Sequence, residues 1–167
     1  LFITYLPAWL AEDRDGTPSR IAALFFAGGV ASVITGPVVG KLSDKLGRKP
    51  LILTSSVGLV ILMSGTTFAI RKFWLAFPVF FFSSVLLAAR MSPFQALLSA
   101  LVPSERRGAL MSLTVALGQI GFASGAALAG IIYSQLDYRS STFAGAAVAL
   151  IATAIVWRRL PEPQNLD

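Results

Sequence analysis

Long apolar runs, broken at short intervals by clusters of charged and turn-forming residues, organise this chain of 167 residues. A helix rising 1.5 Å per residue crosses a hydrocarbon core about 30 Å thick in about 20 residues. Leu51–Ile70 meets that length without a single charge. Ile21–Gly40 is a second such run, opened by the turn Thr17-Pro18-Ser19, with Ser19 as the expected N-cap. A third begins at Phe73, passes through Ala89 and continues less purely to Val102; a fourth covers Gly108–Tyr133 and a fifth Ser141–Trp157. Leu1–Ala11 reads as the last turns of a sixth. It has neither an initiator Met nor a basic leader region, as expected of a segment cut inside a helix. Spans are therefore expected at about 1–11, 20–40, 51–70, 73–102, 108–133 and 141–157, in one domain covering residues 1–167. The polar breaks are short, so consecutive helices should run antiparallel, and no β-barrel alternation is present. The expected fold class is an all-α membrane protein of about six transmembrane helices.

Composition sharpens this reading. The chain is 55% hydrophobic and 13% charged, with a mean hydropathy of +0.73. A soluble domain carries about a quarter charged residues, so there is too little charge here to cover a globule. Without His or Cys the chain offers no His- or Cys-based metal site, no disulfide framework and no thiolate nucleophile. No metal or cofactor is expected. The net charge of +6 would suggest nucleic acid in a soluble protein. Here the cations lie in short clusters between apolar runs, which suits loops at an anionic bilayer surface, and no nucleic-acid partner is expected.

Loop cations also orient the chain. One set of loops holds Lys41, Lys45, Arg48, Lys49, Arg106, Arg107, Arg158 and Arg159, eight in all, against five in the opposite set: Arg14, Arg20, Arg71, Lys72 and Arg139. The first set is expected in the cytoplasm, which places loops 41–49 and 103–107 and the C-terminus there, in a multi-pass plasma (inner) membrane protein. Arg71-Lys72 lies on the wrong side for this rule. Trp74, Tyr133 and Trp157 fall near predicted boundaries, as interfacial aromatics do.

Between the second and third spans the sequence reads Gly40-Lys41-Leu42-Ser43-Asp44-Lys45-Leu46-Gly47-Arg48-Lys49-Pro50-Leu51-Ile52. From residue chemistry alone this is a tight basic loop at the membrane surface. Gly40 and Gly47 permit close approach or positive φ, Pro50 suits the first turn of the next helix, and Asp44 stands alone among cations. The carboxylate can pair with Arg48 or accept from a helix N-terminus. The stretch resembles the signature loop of the major facilitator superfamily, G-x-L-a-D-r-x-G-r-k-x-x-l. Gly40, Leu42, Asp44, Gly47, Arg48 and Lys49 match outright, while Ser43, Lys45 and Ile52 are conservative replacements.

The resemblance implies one six-helix half of a twelve-helix bundle, with the other half and a small-molecule solute as partners besides the lipid bilayer. It also implies a gate. In the family the Asp and Arg form a charge-relay contact with a neighbouring helix that stabilises the outward-open state and breaks as the halves rock. Asp44 would then be the switch acid, Arg48 its partner, and Gly40 and Gly47 the sites of close packing.

Weaker signals lie in the later spans. Arg90 is the only ionisable residue embedded in a predicted span, and a mid-bilayer Arg costs at least about 2.5–3.5 kcal/mol. It either faces a cavity, as a substrate or coupling residue, or snorkels at the end of a span closing at Ala89, with 91–102 at the interface. In the resembled family an Arg of the fourth helix often serves substrate or proton coupling and is followed by x-x-q-G; Pro93 and Phe94 occupy those places here. Gln95 and Gln119 are further candidates for a polar cavity, or for interhelical hydrogen bonds. Gly121, Gly125 and Gly130 are read as helix-packing positions, since small residues let membrane helices approach closely. They partly match the family's antiporter motif g-x-x-x-G-P-x-x-G-G, with Ala126 and Ala129 departing from it.

The leading functional expectation is secondary transport of a small solute of unknown class by alternating access, by uniport, symport or antiport, with coupling to an ion expected. The alternative is a non-transporting membrane scaffold or assembly factor with the same fold, which the absence of any acid within a span would suit. An intramembrane enzyme would need a Ser/His, paired-Asp or metal constellation, and none is present.

Overall fold

The computed structural model describes residues 2–100 and 102–159. They form six α-helices: α1 (Phe2–Asp13), α2 (Pro18–Leu46), α3 (Arg48–Ala69), α4 (Ala76–Ala100), α5 (Ser104–Gln135) and α6 (Tyr138–Arg159), with a 3-10 turn at Phe73–Leu75 leading into α4. All the regular structure among the described residues is helical, and five of the helices, α2 to α6, are long and apolar enough to cross a membrane.

Each boundary has a local cause. Helix α1 stops where Asp15 takes a left-handed φ of 54° and the Gly16 N–H closes back on the Leu10 carbonyl at 2.9 Å, so that a residue in the left-handed region ends the helix and one of its last carbonyls is satisfied. Helix α2 is capped by Thr17, whose hydroxyl accepts from the Arg20 N–H at 3.4 Å. Ser19, the N-cap expected from sequence, lies inside the first turn instead. Pro18 fixes a helical φ and has no N–H to satisfy, so it takes the first helical position and moves the cap to the residue before it. Helix α6 is preceded by Asp137, whose carboxylate caps it by accepting from the Ser140 N–H at 2.7 Å. That hydrogen bond holds the Asp137 carboxyl below its ordinary range.

The basic loop expected at 41–49 is not a loop. Helix α2 continues to Leu46, and Gly47, at φ 89° and ψ 145°, is the whole connection before α3 begins at Arg48. Leu, Lys and Asp are compatible with a helix, and the Ser43 hydroxyl donates back to the Gly40 carbonyl at 2.8 Å, so nothing between the two glycines breaks the ladder. At 29 residues, α2 is about 43 Å long, longer than a hydrocarbon layer of about 30 Å.

The register follows from paired residues. Helix α2 lies along α4 in the same direction, with Gly16 near Phe73, Phe25 against Phe80 (centroids 4.8 Å apart), and Gly28 against Phe80 and Ser84. Helix α3 runs opposite to α4: Arg48 reaches Ala96, and Gly58 faces Leu86, whose Cδ2 would lie 3.1 Å from a Cβ added at Gly58. Helix α6 starts beside the end of α3, where the Arg139 guanidinium lies 4.4 Å from the centre of the Phe68 ring. The principal packing order is thus α2–α4–α3–α6, with α1 and the last turns of α5 against the start of α6.

A buried hydrophobic cluster gathers at one end of the bundle. Phe2, Leu6, Trp9 and Leu10 of α1 meet Leu24, Ile70, Phe73, Phe80 and Tyr138. Trp9 stacks on Tyr138 at 4.6 Å, and the Tyr138 hydroxyl donates to the Phe2 carbonyl at 3.0 Å. The Tyr133 hydroxyl donates to the Glu12 carboxylate and ties α5 to α1. Ala129 is the one fully buried residue of α5 among the described residues. Phe26 and Val33 on α2, and Val115, Ile120 and Phe122 on α5, are more than half exposed. In a membrane such side chains need no water-free partner, because lipid is as apolar as they are.

Candidate functional site

The one-residue connection decides where the signature side chains go. By ending α2 and starting α3 in a single step, Gly47 aims Arg48 across the bundle at α4. Arg48 Nη1 donates to the Ala96 carbonyl at 3.1 Å. Ala96 lies in the last turns of α4, where helix carbonyls concentrate partial negative charge. The Ser99 hydroxyl donates to the same oxygen at 2.9 Å. Arg48 Nε is buried without a hydrogen-bond partner. The cation is thus bonded through one arm while a second donor is held in the packed region.

Asp44 has a different setting. It is exposed in the last turn of α2, and among the described residues neither Arg48 nor any other side chain bonds its carboxylate. Leu42 is also exposed, Lys49 is half-buried, and Gly40 sits inside α2 with open space around it. The close approach expected at Gly40 is therefore not made among the described residues.

The other candidates are not gathered into one site. Arg90 is half-buried midway along α4, and the helix continues unbroken through Pro93 to Ala100. The helix thus continues past Ala89 whether residues 91–100 lie within the bilayer or at its interface. Pro93 lacks an N–H, so the Ala89 carbonyl next to Arg90 loses its helical donor. Gln95 is exposed and lies about 140° around the helix from Arg90. Gln119 is exposed on the sparsely packed part of α5. Of the three packing glycines, Gly130 lies against the Tyr5 ring, whereas Gly121 and Gly125 face open space. The glycines that do set interhelical spacing, Gly28 against Phe80 and Gly58 against Leu86, were not singled out from sequence. Their signal is a small residue on a buried helical face, which a hydropathy pattern does not separate from any other glycine.

Sequence reasoning also missed a charged cavity at the opposite end of the bundle. There Arg14 Nε donates to the Ile70 carbonyl at 2.8 Å, and its guanidinium lies 4.9 Å from the Trp9 ring centre.

A sequence profile of the Major Facilitator Superfamily matches residues 1–167. Among curated proteins, the chain is 27% identical to the multi-drug resistance efflux pump PmrA of Streptococcus pneumoniae, over 84% of this chain and 35% of that protein. It is 27% identical to the lactose permease of Klebsiella oxytoca, over 98% of this chain and 40% of the permease. It is 29% identical to the gallate transporter of Pseudomonas putida, over 92% of this chain and 34% of the transporter. The chain thus spans between a third and two-fifths of the length of these relatives.

Proposed function

Because the chain belongs to the major facilitator superfamily, whose members are transporters rather than enzymes, we propose that it forms one six-helix half of a secondary transporter. That half moves a small solute across the membrane by alternating access, the solute site lying between it and a second half near the midplane. The observation that carries this reading is the Gly47 turn, which fixes Arg48 to the end of α4 and leaves Asp44 exposed on the same turn. Arg48 makes α2, α3 and α4 one body at this end. The unpaired carboxylate is free to engage a partner in one conformation and release it in the other, which is what a two-state gate requires. Arg90, half-buried beside the carbonyl freed by Pro93, is the residue proposed to meet substrate or coupling ion; Gln95 and Gln119 are secondary candidates. The Gly47 end, with 103–107 and the C-terminus, is assigned to the cytoplasm of a plasma membrane by its cation excess.

The named solutes of the relatives differ, so the test uses a pooled panel of metabolites and drugs. Full-length protein in proteoliposomes is assayed for uptake and efflux with and without a pH gradient. A gradient-driven solute is expected. No flux of any panel member, from protein shown to be folded, would favour the scaffold alternative. With a solute in hand, Asp44→Asn is expected to slow turnover at least tenfold while changing solute binding less than twofold, on the order of one lost charge-assisted contact; unchanged turnover removes the gating role.

A further inference from the structure

We propose that the end of the bundle opposite Gly47 holds a binding site for the phosphodiester headgroup of an anionic phospholipid. A cavity of about 360 Å³ opens where the end of α1, the start of α2 and the α3–α4 connection meet, within the size range of small-ligand sites. Arg14, Arg20, Arg71 and Lys72 line it together with Asp13 and Asp15; four cations against two carboxylates leave a surplus of two positive charges.

These cations are not equivalent. Arg14 is committed to the Ile70 and Asp13 carbonyls, at 2.8 and 2.7 Å. Arg20 lies over the Phe73 and Trp74 rings, at 6.0 and 5.7 Å from their centres. Arg71 and Lys72 are exposed, and their side chains make no hydrogen bond or ion pair among the described residues. The backbone that carries them is held in place, because Ile70 and Phe73 on both sides of them are buried. The site therefore presents two unspent cations on a backbone pinned at both ends.

Position favours a lipid over a free anion. Arg71 and Lys72 come just after α3 and its cap residue Ile70; α3 is a 22-residue helix of spanning length, which puts them where hydrocarbon gives way to headgroups. Trp74, 65% exposed and stacked on Phe77 with centroids 5.7 Å apart, forms one wall, with Leu75 exposed beside it. A phosphodiester would sit on the cations while its acyl chains lie along this aromatic shoulder, where amphipathic rings are favoured. The site also accounts for a basic pair on the side of the chain poorer in loop cations, and it does not depend on what is transported.

The test is native mass spectrometry of the full-length protein in detergent with dioleoyl-phosphatidylglycerol, dioleoyl-phosphatidylcholine or inorganic phosphate. The native protein should retain one more phosphatidylglycerol than the double variant Arg71→Gln/Lys72→Gln, which should bind that lipid roughly 25-fold more weakly, from about a factor of five per cation near a membrane surface. The charge-conserving variant Arg71→Lys/Lys72→Arg should retain it, which separates charge loss from misfolding. Equal retention by the double variant, equal retention of phosphatidylcholine, or displacement by millimolar inorganic phosphate would each overturn the lipid site.

Discussion

Gly47 carries a conformational demand that no other residue type meets at low cost. Its φ of 89° with ψ of 145° lies near a region populated almost only by glycine, where a side chain costs of order 1–3 kcal/mol. Replacing it with alanine is expected to destabilise the full-length protein by about 1–3 kcal/mol, read as a lower melting temperature in detergent. The strain should also displace Arg48 from the Ala96 carbonyl. A Gly40→Ala variant is the control: its Cβ meets nothing within 4 Å, so it should melt like the native protein or slightly above. Both glycines stand in the signature pattern, but only the backbone separates the one that turns the chain from the one that continues a helix.

At the scale of the element, a cap and a contact glycine can be tested separately. Removing the Asp137 side chain leaves the Ser140 N–H without its 2.7 Å acceptor. Asp137→Ala should therefore cost about 1 kcal/mol, the usual worth of an N-cap. Because the folded protein lowers the Asp137 pKa, its contribution is fully present above the unfolded value of about 3.9 and is lost as pH falls through the lowered folded value. Melting of the native and variant proteins should differ at pH 7 and converge toward pH 2. Gly28 and Gly29 make a second pair. A Cβ at Gly28 meets the buried Phe80 ring and comes within 2.7 Å of Ser84 Oγ, whereas at Gly29 nothing lies within 4 Å. Gly28→Ala is expected to destabilise by about 1–3 kcal/mol through overpacking, and Gly29→Ala to be neutral or stabilising, as measured by detergent melts. Hydropathy alone made the existence and order of the long helices legible, because a spanning helix must be apolar along its whole length. Their true ends were not, since caps such as Thr17 and Asp137 and the continuation of α2 past Lys41 depend on local hydrogen bonds that hydropathy does not register. The contact face of each helix was equally hidden: lipid and protein neighbours are both apolar, so Gly28 and Gly29 look alike in sequence.

For the whole molecule, the decisive property is which of its exposed apolar faces meets water during transport. Gly121 and Gly125 face open space on α5, and Ile151 on α6 is 59% exposed; within this chain the two surfaces look the same. Two halves enclosing a solute path at their interface would make them different. If α5 lines that path, a thiol at position 125 reaches water in one conformation, while a thiol at 151 on a lipid-facing helix does not. In a cysteine-free form of the full-length protein in proteoliposomes, Gly125→Cys is expected to react with a water-soluble maleimide at least tenfold faster than Ile151→Cys, on the order of the rate cost of keeping a thiolate out of hydrocarbon. Imposing the gradient that drives flux should change the first rate and leave the second alone, because only a surface at the moving interface responds to the rocking of the halves. Equal, gradient-independent rates at the two positions would mean that α5 does not border the path, and the proposed site would then have to be built around Arg90 on α4 without it.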